Sequence, residues 1–238
     1  MQHPPAKLLP VDGRVVASAV WREAFTLILR HPVAAFLPAA VLGPLAEAPY
    51  LLPDSKYVVQ DILAFLTEAF AFYLYVAYVE QVFVEAQSAE HIPLRSVLRH
   101  LLLAAPAVRL VMVGSIAAIA LPTVAAALLV VPGLWLLTRW SLFASVIVRE
   151  GLGAVDALRR SSALVRECFE VVFLSAAFAV ILEEAIADGG ALVGLVVSGS
   201  ETWGEWVGGT VAEILIMPLA AFATAQAYEL LLRLPESS

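Results

Sequence analysis

The sequence predicts an all-α polytopic membrane helical bundle, with about six transmembrane helices and short cytoplasmic amphipathic interface helices. Three observations carry this expectation. The 238-residue chain is 61% hydrophobic and 15% charged, with a mean hydropathy of +0.89, whereas a soluble domain is about 25% charged. The apolar residues fall in blocks of about twenty, the length that crosses a hydrocarbon layer about 30 Å thick. The basic residues are segregated along the chain, so the formal charge of −7 hides a strong asymmetry.

Taken in order, residues 1–11 read as a loose N-terminus, and Asp12 suits an N-cap for an interface helix over 13–30. Arg14, Ser18, Arg22, Thr26 and Arg30 recur every four residues there, a thin polar stripe on an otherwise apolar helix. Pro32 breaks it. A first crossing over 33–52 contains Pro38, Gly43, Pro44 and Pro49, with Glu47 near its outer end, and 53–57 is a polar turn. A second crossing over 58–86 carries Glu68 and Glu80 among aromatic anchors such as Tyr73, Tyr75 and Tyr78.

Pro93 opens a short basic segment over 93–104, followed by a third crossing over 106–130. Pro132-Gly133 reads as an outer turn and 134–149 as a fourth crossing, closed by Gly151 and Gly153. A basic amphipathic segment over 154–168 leads into a fifth crossing over 169–187. Residues 188–206 read as a glycine-rich outer stretch, and 207–232 as the sixth crossing. The whole, 1–238, is expected to be a single integral membrane domain. A basic segment precedes a pair of crossings three times, which is either a threefold repeat of helix plus hairpin or the basic inner loops that any such protein needs.

Lys7, Arg14, Arg22, Arg30, Arg95, Arg99, Arg149, Arg159, Arg160, Arg166 and Arg233 lie on one side of this layout and Lys56 alone on the other. Positive charge gathers on the cytoplasmic face, so both termini are expected there. No cleavable signal peptide is expected from MQHPPAKLLP, and the single Cys168 excludes an intrachain disulfide.

Val131-Pro132-Gly133, the Arg139-Trp140 pair in the next crossing, and Ala157-Leu158-Arg159-Arg160-Ser161 followed by Leu164 carry a family resemblance over about 120–169. There the chain resembles the six-helix membrane-domain family of bacterial membrane-anchored glycerophosphodiester phosphodiesterases and related inner-membrane proteins. Ser162 stands where such proteins often have Trp, and Cys168-Phe169 where they carry an aromatic pair. The resemblance implies a helical module in the bacterial inner membrane. It imports no phosphodiesterase activity, because the catalytic domain of those proteins is separate.

Candidate chemistry is sparse. Arg139, a costly charge inside a crossing, is expected to pair with Glu68 or Glu213; with Glu47 these form the candidate intramembrane charged cluster. The outer-half acids Glu47, Glu183, Glu184 and Glu213, beside a proline-broken crossing, could instead line a cation or proton path. His3, His31, His91 and His100 have no metal-site spacing and suit interface or solvent positions. Neither a catalytic nucleophile nor a nucleotide loop is present, so no enzyme activity, cofactor or metal is expected.

Arg14, Arg22, Arg30, Arg95, Arg99, Arg159, Arg160 and Arg166 are candidate contacts to anionic lipid headgroups rather than to nucleic acid. The function expected from sequence is a non-enzymatic membrane scaffold or partner-binding module with an unidentified membrane protein partner. The alternative is a small transporter or channel component using Arg139 and the outer acids.

Overall fold

The structure, a computed structural model, describes residues 13–51, 57–89, 92–100, 130–166 and 168–233. Every regular element among them is helical. Three helical segments are long and apolar enough to cross a membrane, Leu66–Ser88, Val131–Glu150 and Thr202–Arg233, and a bent pair, Val16–Arg30 with Pro32–Ala46, passes the same test only when its two helices are taken together. The third crossing expected over 106–130 lies outside the described residues.

Helix α1 (Gly13–Arg30) has the expected bounds. Ala17, Val20, Ala24, Leu27 and Ile28 are buried at the i, i+3, i+7 spacing of one helical face. Arg22, Thr26 and Arg30 remain exposed on the other. Pro32, which needs no N–H donor in a first turn, opens α2 (Pro32–Ala46). The chain bends by 92° between the two helices. His31 sits in this corner, buried, with its Nε2 3.0 Å from the carbonyl oxygen of Ala86. It is therefore not a solvent-facing residue.

Helix α2, where the sequence places a first crossing over 33–52, is shorter than that expectation. α2 stops at Ala46, and Ala48–Leu51 form a 3₁₀ turn, because Pro49 cannot extend the α-helical ladder. At 15 residues, α2 is about 22 Å long. Pro38 also lies inside α2 and has no N–H to offer the carbonyl of Ala34, four residues earlier. The Tyr78 hydroxyl, from the next helix, donates to that carbonyl at 2.9 Å.

Helix α3 (Tyr57–Ser88) matches the second crossing. Residues 94–100 form the described part of α4. Helix α5 (Val130–Trp140) already includes Pro132 and Gly133, so the expected outer turn is helix; proline is tolerated in a first turn. The break falls at Ser141-Leu142, before α6 (Phe143–Glu150). Gly151, with φ of 68°, ends α6 in the left-handed region that glycine enters freely.

Helix α7 (Ala154–Val165) is the expected amphipathic segment. It runs back along α6 and α5. Helix α8 (Phe169–Val172) continues through a five-residue π-turn, Phe173–Ala177, into α9 (Phe178–Ser198). The indole N–H of Trp21 donates to the carbonyl of Leu174 in this π-turn at 2.9 Å, joining α1 to it.

The largest departure from expectation is at 188–206. Only Gly199 and Ser200 separate α9 from α10 (Glu201–Arg233), so the glycine-rich stretch is two helix ends rather than a loop. Gly190 and Gly194 face Gly208 and Gly204: a Cβ on Gly194 would lie 2.9 Å from both the Gly204 carbonyl carbon and the Gly208 Cα. These are two G-x-x-x-G faces, the arrangement that lets membrane helices meet backbone to backbone.

Helix α10 is the hub of the bundle, packed against α9, α2, α1 and α3. Its buried Ala220, Ala221, Ala223, Ala225 and Ala227 suit close helix approach. Large side chains fill the remaining interior, with Tyr73 against Phe143 and Phe83 against Phe222.

A buried acidic cluster as the candidate functional site

The termination of α2 creates the site. Glu47 follows the last residue of that helix, with its N–H 3.2 Å from the Gly43 carbonyl and its own carbonyl accepting from Tyr50 at 3.1 Å. Its side chain turns onto α10. A Cβ on Gly209 would lie 2.5 Å from the Glu47 carboxyl carbon, so the missing side chain at 209 is what admits the carboxyl. Gly43 is the reciprocal notch: a Cβ there would lie 3.2 Å from Ile214 and 3.4 Å from the Glu213 Cβ.

The hairpin brings the other acids in. With Gly190 facing Gly208 and Gly194 facing Gly204, the antiparallel register places Glu183 beside residues 213–215. The Glu183 and Glu213 side chains interact across this seam; two carboxyls can hydrogen-bond to one another only through a shared proton. Glu68 lies within electrostatic reach of Glu184, Glu47, Glu213 and Asp188.

Glu47, Glu183 and Glu213 are only 2%, 3% and 2% exposed. One carboxyl oxygen each of Glu47 and Glu213, and the hydroxyl of Thr210 one turn before Glu213, are buried with no hydrogen-bond partner. The sequence holds no Lys or Arg at 57–94 or at 167–232, so α3, α9 and most of α10 carry acids with no base of their own. Buried carboxylates in such surroundings must be balanced by protons, water or a cation. Among the described residues no group of three acids, histidines or cysteines converges closely enough to hold a metal ion.

Glu47 and Glu213 thus meet where α2 crosses α10, with Glu68 in electrostatic reach, and Arg139 is not with them. Its guanidinium lies 4.5 Å from the Trp135 ring centroid and 3.4 Å from the Ser162 carbonyl. It forms no ion pair among the described residues. Ser161 Oγ donates to the Arg139 carbonyl at 2.8 Å, and Trp140 Nε1–H donates to Ser162 Oγ at 3.1 Å. Arg139-Trp140 and Ser161-Ser162 thus clasp each other between α5 and α7. Depth along a helix, which suggested the pairing with Glu68 or Glu213, says nothing about the direction a side chain faces.

The base that does meet carboxylates is the half-buried Arg149. It binds Glu229 at 2.8 Å and stands 3.8 Å from Glu80, which is 2% exposed and has both carboxyl oxygens without a hydrogen bond. Next to it, Tyr228 donates to Glu150 at 2.9 Å, and Arg160 binds Glu150 at 3.2 Å. Glu229 was not singled out from sequence. Its signal was Arg233 four residues on, an i, i+4 pair at 3.3 Å.

Of the other candidate headgroup arginines, Arg22, Arg30, Arg95, Arg99, Arg159 and Arg166 are exposed. Arg159 is 3.6 Å from Asp156. The side chain of Arg14 lies outside the described ones. No protein-family model, curated protein or solved structure matches this chain. What the fold and site define is a class: an all-helical protein with apolar helices of membrane-crossing length and a buried set of acids.

Proposed function

We propose that the chain is a proton-handling component of a bacterial inner-membrane transport system, with both termini cytoplasmic. Six crossings and three basic interface helices complete this reading, as in the membrane-domain family that the clasp motifs resemble. The single observation that carries the function is the set Glu47, Glu183 and Glu213, buried together, with an unpartnered oxygen on Glu47 and on Glu213 and no ion pair to a basic side chain among the described residues. Ionisable groups inside membrane helices are costly and mark ion or proton routes. Protons are favoured over a metal ion by the Glu183–Glu213 contact and by the lack of three converging ligands among the described residues.

The test is reconstitution of the full chain in liposomes loaded with a pH-sensitive dye, under an imposed potassium diffusion potential. Acidification of the lumen is expected, lost in Glu213→Gln and Glu47→Gln and retained in the exposed control Glu23→Gln. Flux no greater than in empty liposomes refutes the proposal.

A second reading, a non-enzymatic scaffold, is supported by the close packing of the described middle of the bundle. Tyr75, Tyr78, Phe83, Phe143, Met217 and Phe222 are fully buried between the acid cluster and Arg149. It predicts a stoichiometric membrane-protein partner after gentle detergent extraction, and no flux.

A further inference from the structure

A different part of the molecule carries a second inference, independent of the acid cluster. Where α3 ends, α4 folds back against it. The Ser96 hydroxyl donates to Glu85 Oε2 at 2.7 Å, and His100 Nε2 contacts the same oxygen at 2.8 Å. One oxygen of this carboxylate is thus used twice, and Oε1 receives no hydrogen bond among the described residues.

Arg95 and Arg99, one helical turn apart, line the same pocket with Glu85, Pro93 and Ser96; its volume is about 480 Å³. Both arginines are exposed, and neither has an ion pair among the described residues. The apolar segment Leu66–Ser88 ends three residues beyond Glu85, which places the pocket where hydrocarbon gives way to water. Leu94 and Leu98 are 53% and 50% exposed on the same short helix, an apolar edge beside the two guanidiniums.

A purely anionic ligand fits this pocket poorly, because Glu85 stands in it. A ligand with one phosphate and one primary ammonium group satisfies both signs. The planar guanidiniums grip phosphate oxygens in pairs, and an ammonium N–H donates to Glu85 Oε1. A quaternary ammonium has no N–H to donate, and a glycerol headgroup carries no positive charge.

We propose that this pocket binds an ethanolamine phosphodiester, supplied as the headgroup of a membrane lipid whose acyl chains lie along Leu94 and Leu98. The measurement is native mass spectrometry of the full chain in detergent, titrated with phosphatidylethanolamine, phosphatidylcholine or phosphatidylglycerol. Phosphatidylethanolamine is expected to bind about tenfold more tightly than either, the scale of one charge-assisted hydrogen bond. The double variant Arg95→Gln/Arg99→Gln, at exposed positions that leave the fold intact, is expected to lose this binding. Glu85→Gln is expected to keep phosphate binding and lose the preference for ethanolamine over glycerol; if it does not fold, the arginine variant alone decides.

Equal binding of the ethanolamine and choline lipids overturns the proposal. So does tighter binding of phosphatidylglycerol, which marks a simple basic patch, or a preference that survives removal of both arginines. Competition by soluble glycerophosphoethanolamine at equal concentration overturns the lipid source and upholds the phosphate–ammonium chemistry. Its failure to compete upholds the lipid.

Discussion

The glycine seam between α9 and α10 gives the sharpest test of the fold. Replacing Gly194 with Ala puts a methyl group against the Gly204 carbonyl carbon and the Gly208 Cα, 2.9 Å from each. Both are backbone atoms, so no side chain can rotate away and the helices must separate. Replacing Gly189 with Ala meets nothing within 4 Å. Both substitutions gain the same helix propensity, about 1 kcal/mol, so this gain cancels in the comparison. What remains is the cost of prising open a close-packed backbone seam, about 3 kcal/mol, at the upper end of overpacking effects. Unfolding by SDS titration in mixed micelles, followed through Trp203 and Trp206, measures the difference. Equal stability of Gly194→Ala and Gly189→Ala would refute the hairpin register and the placement of Glu183 beside Glu213 that depends on it.

Other outcomes follow from single contacts. Tyr78→Phe should destabilise by about 1–2 kcal/mol, since it strips the donor from the Ala34 carbonyl that Pro38 leaves open. In a Pro38→Ala background, where an N–H is restored, that cost should largely vanish in a double-mutant cycle. Arg149→Gln should cost about 2–4 kcal/mol in the same unfolding assay, because buried Glu80 loses its counter-charge and Glu229 keeps only the exposed Arg233. Arg139→Gln should cost about 1 kcal/mol or less, the worth of its contact with Trp135. If the arginine order is reversed, Arg139 is the buried charge after all.

How far the sequence could be read depended on whether a residue has one physical meaning or two. Hydrophobic length has one meaning in a chain this apolar, so α3 and α10 were legible, and the i, i+4 arginine stripe made α1 legible. Glycine has two meanings. In a soluble protein a run such as GGALVGLVVSG reads as a loop; between lipid-embedded helices the same spacing is a contact surface. From sequence alone, 188–206 therefore reads as a glycine-rich outer stretch. Proline was misread similarly at Pro132, which starts a helix as readily as it ends one.

The acids were visible as a set, because Glu47, Glu183, Glu184 and Glu213 all fell in one half of the expected crossings. That they converge depended on Gly43 and Gly209, whose role as notches appears only once α2 meets α10. Arg139 was a natural suspect for pairing, and Arg149 was not, because both are single charges in an apolar run. Only the break at Ser141-Leu142 and the fold-back of α7 decide which of the two turns inward.

The hub helix also works as a depth gauge. Trp203 and Trp206 stand near one end of α10 and Arg233 at the other, and both are residue types that favour a membrane–water boundary. From Trp206 to Arg233 a helix rises about 40 Å, close to a full bilayer with its headgroups. On that scale Glu213 sits about 10 Å beneath the tryptophan boundary and Glu229 about 6 Å from the arginine boundary. A solute reaching both carboxyls would have to traverse about 24 Å of aromatic and alanine packing, most of the thickness of the hydrocarbon.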